Sequence, residues 1–180
     1  MQYRPLQDDD LPGVLALQEA NLHVHLSDTE RARGFLSARF GPEQFSAMAV
    51  QVGVLVAADG DRIAGYACAS EVDYNRRFPL LAAMIDAFPR VQYQGSTLDR
   101  ASCFVYGPVC VDRAWRGRGV LRGLVAALRQ RTAGRFDCGV AFIAQDNPRS
   151  LAAHVQGLGL LQAGAFEHSG RAYHLVLLPV

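Results

Sequence analysis

Residues 109–124 read VCVDRAWRGRGVLRGL, and this stretch carries the clearest structural signal in the chain. An apolar strand runs into a turn that contains Gly117 and Gly119, and the turn opens a helix whose apolar residues recur at helical spacing. The glycines let a ligand approach the backbone, and the first amides and the dipole of the helix attract negative charge. The arginines add donors that suit phosphate oxygens. The pattern predicts an anion-binding turn at residues 116–122.

The positive charge of the chain is concentrated around this turn. Between Arg113 and Arg135 there are seven arginines and no acidic residue, whereas the whole chain has 18 basic and 17 acidic residues. The chain contains no lysine, which excludes Schiff-base chemistry and the phosphate-binding lysine of P-loop proteins. The glycine spacing also fails to match a dinucleotide-binding fingerprint. The net charge of +1 argues against a nucleic-acid-binding module.

Length and composition favour one globular domain over residues 1–180, since half of the residues are apolar and 19% are charged. The four cysteines stand singly in apolar runs, so we expect buried free thiols and no metal site. The amino terminus carries Asp8, Asp9 and Asp10 instead of an apolar signal segment. No apolar run approaches the length of a membrane span. We therefore expect a cytoplasmic protein without a membrane partner.

The hydrophobic pattern predicts helices before residue 52 and alternating strands and helices after residue 100. In the first half we expect a strand at residues 1–6, a helix over residues 8–22, and a hairpin of residues 52–58 and 62–70. A second helix is predicted to open at Ser27, with Glu30 completing a capping box, and to bury Phe35 and Leu36. An insertion of about 30 residues, with a helix at residues 79–87, comes next. The second half predicts strands at residues 102–111, 138–144, 161–166 and 171–178, and helices at residues 119–132 and 148–157.

The turn resembles the acetyl-CoA signature of the GCN5-related N-acetyltransferase (GNAT) family, Q/R-x-x-G-x-G/A, which joins the fourth strand to the third helix. Arg116 and Gly119 match the signature, and Leu121 stands where the family prefers Gly or Ala. A second match is Asn-Pro-Arg-Ser at residues 147–150, followed by Leu-Gly-Leu at residues 158–160. The resemblance covers nearly the whole chain. It implies an α/β (mixed α+β) fold with a twisted, mostly antiparallel sheet of about seven strands, four main helices, and an inserted helix between strands three and four.

The resemblance also implies that acetyl-CoA is the cosubstrate. In the family, the fourth strand pairs with the pantetheine arm and the amides of the turn hold the pyrophosphate. The implied cofactor contacts are Val109, Cys110, Val111, Arg116, Gly117, Arg118, Gly119, Val120, Leu121, Arg122, Asn147 and Ser150. Asn147 has an equally good structural explanation, because it precedes Pro148 as the N-cap of a predicted helix.

Acetyl transfer needs a donor for the developing oxyanion. The family exposes a backbone amide of its bulged fourth strand toward the thioester. Here Gly107 and Pro108 predict such an irregularity, because proline removes a donor from the sheet ladder. The resemblance therefore implies an oxyanion donor near Val109 or Cys110.

The proton-transfer groups follow less directly from the sequence. Many relatives use a tyrosine of the fourth helix as general acid, and alignment places Val155 in that position. The neighbouring His154 is interpreted as a packing or capping residue. For the general base, Glu71 is the first choice, His174 and Tyr106 are weaker ones, and deprotonation by water without a single base stays open.

The acceptor site of the family tends to form between the first helix pair and the last hairpin. This implication selects the following side chains: His23, His25, Tyr74, Arg76 and Tyr173. The leading hypothesis is an acetyl-CoA-dependent N-acetyltransferase in which a primary amine of a small molecule or peptide attacks directly. The alternative is a non-catalytic acyl-CoA-binding sensor or interaction domain on the same fold. Relatives are often dimers, so a homodimer is a further expectation.

Overall fold

A computed structural model describes all 180 residues. The strands are β1 (Gln2–Pro5), β2 (Gly53–Asp59), β3 (Arg62–Glu71), β4 (Gln92–Tyr93), β5 (Ser96–Thr97), β6 (Cys103–Val111), β7 (Cys138–Ala144), β8 (Leu161–His168) and β9 (Arg171–Pro179). The helices are α1 (Leu11–Glu19), α2 (Asp28–Arg31), α3 (Pro42–Gln51), α4 (Val72–Asn75), α5 (Pro79–Asp86), α6 (Val120–Thr132) and α7 (Pro148–Leu158). No helix is both long and apolar enough to cross a membrane.

Seven of the strands form one sheet in the order β1-β2-β3-β6-β7-β9-β8. All neighbours in this sheet are antiparallel except β6 and β7, which run parallel. The predicted mostly antiparallel seven-stranded sheet is therefore confirmed. The inserted segment between β3 and β6 contains α4, α5 and the small β4–β5 hairpin.

The sheet separates two apolar cores, because successive side chains of a strand point to opposite faces. Val54 and Val56 of β2 belong to the first core, which α1, α3 and α5 cover, whereas Leu55 and Ala57 belong to the second, which α6 and α7 cover. All four cysteines are free and buried, as the sequence predicted. The main helices thus pack on both faces of the sheet.

The parallel strands β6 and β7 separate after a short paired segment. They pair only at Cys103, Phe104 and Val105 of β6, and the rest of β6 diverges from β7. On the side of β3, Tyr106 pairs with Ala69 and Val109 pairs with Ala67. Two residues of β6 therefore lie opposite one residue of β3, so β6 contains a bulge at Gly107 and Pro108. The irregularity predicted at Gly107 and Pro108 is confirmed, and the divergence opens a gap in the middle of the sheet.

The prediction of a long second helix from Ser27 was wrong. The capping box is present, since the Ser27 amide donates to Glu30 Oε2 at 2.9 Å, but α2 ends at Arg31. Gly34 then adopts a φ of +98°, and Phe35 and Leu36 lie in a loop instead of a helix. The helix that packs on the sheet here is α3, which the sequence analysis missed. The backbone of Leu36 forms a parallel β-bridge with Leu22, and its side chain is buried. Local propensity does not encode such a tertiary contact.

Candidate active site

An elongated cleft of about 570 Å³ lies where β6 ends and α6 begins. Its walls come from β6, the anion-binding turn, α7, and the loop at residues 33–36. Four arginines and no acidic residue line this outer cleft: Arg33, Arg116, Arg122 and Arg149. The outer cleft therefore carries a local excess of positive charge.

The free edge of β6 forms one side of the outer cleft. The Asp112 amide donates to the Ala64 carbonyl of β3 at 2.9 Å. Because backbone groups alternate between the two sides of a strand, those of Val109 and Val111 face the gap toward β7. The Val111 carbonyl on this edge accepts from Arg116 Nε at 3.0 Å, and the backbone groups of Cys110 face β3.

The anion-binding turn presents a row of unpaired amides. Gly117 and Gly119 have φ values of +75° and +83°, which L-residues with a side chain rarely adopt. The first intrahelical bond of α6 is accepted by the Gly119 carbonyl from Gly123 at 3.0 Å. Five amides have no acceptor in the protein: Gly117, Gly119, Val120, Leu121 and Arg122. Unpaired amides at the start of a helix, together with the helix dipole, favour a negatively charged group.

The side chain of Arg116 holds the walls of the outer cleft together. Its Nε donates to the Val111 carbonyl (3.0 Å), its Nη1 to the Arg33 carbonyl (2.7 Å) and its Nη2 to Asn21 Oδ1 (2.8 Å). Burial lowers the pKa of this guanidinium. Arg116 was predicted as a direct cofactor contact, and in the structure its guanidinium nitrogens are committed to three protein acceptors. It lines the cleft as a tie between loop 33–36 and β6.

The other arginines divide into those that reach the outer cleft and one that does not. Arg118 does not line it, and its guanidinium lies 5.6 Å from the centre of the Trp115 ring. Arg122 lines the cleft and donates to the Gly157 carbonyl of α7 at 3.2 Å. Arg33 and Arg149 also line it, and neither guanidinium has a protein acceptor. Neither arginine was selected from the sequence, although Arg149 lies between Asn147 and Ser150, which were.

A second cavity, the inner pocket, occupies the gap between β6 and β7. It measures about 100 Å³ and is mostly apolar. Its walls include Phe40, Leu81, Pro108, Phe142 and Ile143. Five residues line both cavities: Phe35, Leu36, Val109, Ser150 and His154. The inner pocket therefore adjoins the outer cleft.

Asn147 fastens the start of α7 to the loop at residues 33–36. Its Oδ1 accepts from the Ser150 amide (3.2 Å), and its Nδ2 donates to the Phe35 carbonyl (3.1 Å). The side chain is 3% exposed and lines the inner pocket. The capping role that the sequence offered for Asn147 is therefore present.

A histidine and a tyrosine meet where the two cavities join. The Tyr106 hydroxyl lies 3.2 Å from His154 Nε2, and His154 Nδ1 lies 2.8 Å from the Ser150 carbonyl. Burial raises the pKa of Tyr106 above its usual value and lowers that of His154. Val155, placed by the sequence alignment in the position of the family tyrosine, lines neither cavity and packs against the second core.

Two of the predicted catalytic residues lie outside both cavities. Glu71 is exposed at the end of β3, where its amide donates to Gln51 Oε1 at 3.2 Å. His174 on β9 faces Gln162, with 3.1 Å between His174 Nδ1 and Gln162 Nε2. Neither lines the outer cleft or the inner pocket. Tyr106 lines the inner pocket and is the one of the three that the fold brings to the site.

The five side chains predicted for the acceptor also lie outside both cavities. His23 packs edge-on against Phe35, with ring centres 4.8 Å apart, and burial lowers its pKa. His25 Nε2 lies 3.4 Å from Glu19 Oε2. His23 therefore supports the loop at residues 33–36, whereas His25 lies at the surface.

The remaining three predicted acceptor residues make contacts elsewhere. The Arg77 guanidinium covers the ring of Tyr74 at 3.8 Å, and Arg76 pairs with Asp86 at 3.1 Å. Tyr173 packs edge-on against Phe142 with 5.3 Å between ring centres, and Phe142 lines the inner pocket. Only Tyr173 therefore stands close to the pocket, through a residue that lines it.

A bulged strand that separates from its parallel neighbour is what the resemblance to the GNAT family implied for the middle of the sheet. The model of the acetyltransferase (GNAT) family matches residues 25–160. The chain therefore belongs to the GNAT family, as the residues of the turn implied. This family uses acetyl-CoA as its acyl donor. No curated protein sequence matches the chain.

Solved structures share the complete fold at low sequence identity. The protein smu.2055 from Streptococcus mutans is 14% identical, with a TM-score of 0.68 and 99% of both chains covered. A ribosomal-protein-alanine N-acetyltransferase from Brucella melitensis is 19% identical, with a TM-score of 0.63 and 100% of both chains covered. Arabidopsis thaliana NAA60, solved with acetyl-CoA, is 12% identical, with a TM-score of 0.64 and 99% of both chains covered. At these identities the likeness shows the fold alone.

Proposed function

We propose that the protein is an N-acetyltransferase that moves the acetyl group of acetyl-CoA to a primary amine by direct attack. The observation that carries this proposal is that the two cavities adjoin, with five wall residues in common. The row of free amides in the anion-binding turn lies at one end, and the gap between β6 and β7 lies at the other. A donor bound along the outer cleft would thus bring its acyl end to the inner pocket.

The residues present fit acetyl-CoA, which supplies the acetyl thioester when it is bound. The five free amides of the turn would hold the pyrophosphate, with Arg33 and Arg149 adding charge-assisted donors. The edge of β6 at Val109 and Val111 would pair with the pantetheine arm. The Val109 amide, which faces the gap, would stabilise the developing oxyanion.

The inner pocket favours a small uncharged group next to the acceptor amine. Its volume is about 100 Å³, and its walls are mainly apolar side chains. An apolar wall does not compensate the loss of water around a charged group, so a charged neighbour of the amine is disfavoured. We therefore propose amines carried on small apolar groups as the first acceptors to test.

Calorimetric titration with acetyl-CoA and, separately, with CoA tests the proposal. Micromolar binding of both is expected, followed by thiol release with small alkylamines and short peptides, and less with free amino acids, whose carboxylate lies next to the amine. Absence of binding would contradict the proposal. Binding without turnover across the whole panel would favour the alternative, a non-catalytic acyl-CoA-binding domain.

A further inference from the structure

His154 occupies the junction between the outer cleft and the inner pocket. It lies on α7 and lines both cavities, whereas its hydrogen-bond partner Tyr106 lines the inner pocket. The two rings meet edge-on with 5.8 Å between their centres. In the transfer proposed above, a group in this position would face both the leaving sulfur and the attacking amine.

The hydrogen bonds of His154 determine which ring nitrogen carries the proton. The Ser150 carbonyl can only accept, so at 2.8 Å it requires the proton on Nδ1. The lone pair of Nε2 is then free to accept the hydrogen of the Tyr106 hydroxyl at 3.2 Å. The Tyr106 oxygen keeps lone pairs of its own. The pair is therefore arranged to receive a proton at the phenol oxygen while it passes one to Nε2.

The surroundings of the pair keep the imidazole neutral. The groups that face it are the Tyr106 hydroxyl on β6 and the carbonyl and hydroxyl of Ser150 on α7. No acidic residue lines either cavity, and the charged residues of the cleft wall are arginines. Both features disfavour the imidazolium, and burial lowers the pKa of His154 further. The imidazole therefore enters the reaction as a proton acceptor.

We propose that His154, acting through the Tyr106 hydroxyl, carries the proton of the attacking amine to the leaving sulfur. As the C–N bond forms, the amine gives a proton to the Tyr106 oxygen, and the phenol proton passes to Nε2. As the C–S bond breaks, the proton returns along the same path and leaves with the sulfur as a thiol. The amine loses one proton, the sulfur gains it, and both side chains end unchanged.

This inference rests on the proposed function and adds the route of the proton to it. The kinetic test compares His154→Gln and Tyr106→Phe with His168→Gln, which removes a histidine that lines neither cavity. We expect His154→Gln and Tyr106→Phe each to lower kcat about 100-fold, because the path needs both groups, and His168→Gln not to change it. The KM for acetyl-CoA should stay within about threefold in all three, since uniform binding is untouched.

The pH profile separates proton transfer from a packing role. In the wild-type protein, the rate should fall in acid as His154 becomes protonated, at a pKa below the ordinary value of 6.5. That limb should be absent in His154→Gln, whereas the limb due to protonation of the acceptor amine should persist. An unchanged rate or an unchanged profile in His154→Gln would overturn the proposal.

Histidine NMR titration supplies a readout that does not depend on turnover. The His154 imidazole signal, assigned by its loss in His154→Gln, is titrated in complexes with CoA and with desulfo-CoA. We expect the thiol of CoA to shift the titration relative to desulfo-CoA. Identical titrations in two saturated complexes would contradict the proton route alone, whereas failure of both ligands to bind would contradict the proposed function.

Discussion

The anion-binding turn and the inner pocket belong to two adjoining cavities, but they are built differently. The turn at residues 116–122 is a single short segment, and its five free amides follow from its own glycines and from the start of α6. The inner pocket combines β6, β7, α7 and the loop at residues 33–36. One end is therefore determined locally, and the other depends on distant segments being held together.

Two polar side chains hold these distant segments together. Arg116 joins loop 33–36 to β6, and Asn147 joins the same loop to α7. Arg116 also belongs to the turn, so it links the two ends of the site. We therefore expect a substitution in the turn to change donor affinity directly. A substitution of Arg116 or Asn147 should also change the stability of the protein and the shape of the inner pocket.

The largest effect is expected from Gly119→Asp, which places a carboxylate beside the free amides. Acetyl-CoA affinity should fall about 100-fold, or about 2.8 kcal/mol, because the carboxylate repels the pyrophosphate. Gly134→Asp is the matched control, since Gly134 also has a positive φ (+72°) with open space around it but lies outside both cavities. Calorimetry measures both variants. Equal losses in the two would mean that backbone strain, and not the anion site, explains the effect.

Arg116→Ala should destabilise the protein and weaken donor binding together. Loss of its three hydrogen bonds leaves the buried Asn21 side chain without its donor and loosens loop 33–36, which we expect to cost about 2 kcal/mol of the free energy of unfolding. Urea unfolding measures the stability, and calorimetry measures an expected fall of about tenfold in acetyl-CoA affinity. A variant that loses affinity at full stability would show that Arg116 acts on the ligand and not as a tie.

Asn147→Ala should act at the acceptor end. Loss of the cap of α7 should cost about 1–2 kcal/mol of the free energy of unfolding. Asn147→Asp is the matched control, because it keeps the capping oxygen but loses the donor to the Phe35 carbonyl. Urea unfolding should show recovery of most of the stability in Asn147→Asp. Equal stability of Asn147→Ala and the wild-type protein would rule out the tie.

The smallest effects should separate arginines that reach the outer cleft from the one that does not. Arg149→Ala should weaken acetyl-CoA binding about three- to tenfold, and added salt should reduce the difference. Arg118→Ala should leave affinity unchanged, because Arg118 lies against Trp115 outside the cleft. Titrations at low and high salt compare the two. A larger loss in Arg118→Ala would mean that the cleft is entered from the other side of the turn.

The elements of the second half of the chain could be predicted closely because each carries a complete local pattern. The predicted helix at residues 119–132 and strand at residues 138–144 correspond to α6 (Val120–Thr132) and β7 (Cys138–Ala144). The first half misled the prediction at α2 and α3. The capping box of Ser27 and Glu30 correctly predicts the start of a helix. That helix ends after one turn, however, and Leu36 is buried in the loop that follows.

The same contrast holds for the site residues. The glycines and arginines of the turn could be found from the sequence, because they form one uninterrupted pattern. Arg33, Phe35 and His154 could not, because nothing in their own segments shows that they meet β6. The five side chains expected at the acceptor site were selected by segment alone, and the fold turns them toward other partners.

The family, the order of the elements after residue 100 and the position of the glycine- and arginine-rich turn could all be found from the sequence alone. These depend on hydrophobic period, glycine conformation and charge, which act over a few residues. The tertiary structure alone decided which side chains line the inner pocket, why Arg116 is a tie, and how His154 meets Tyr106. Such contacts join residues 48 to 95 positions apart, so they depend on how strands and helices pack and not on local preference.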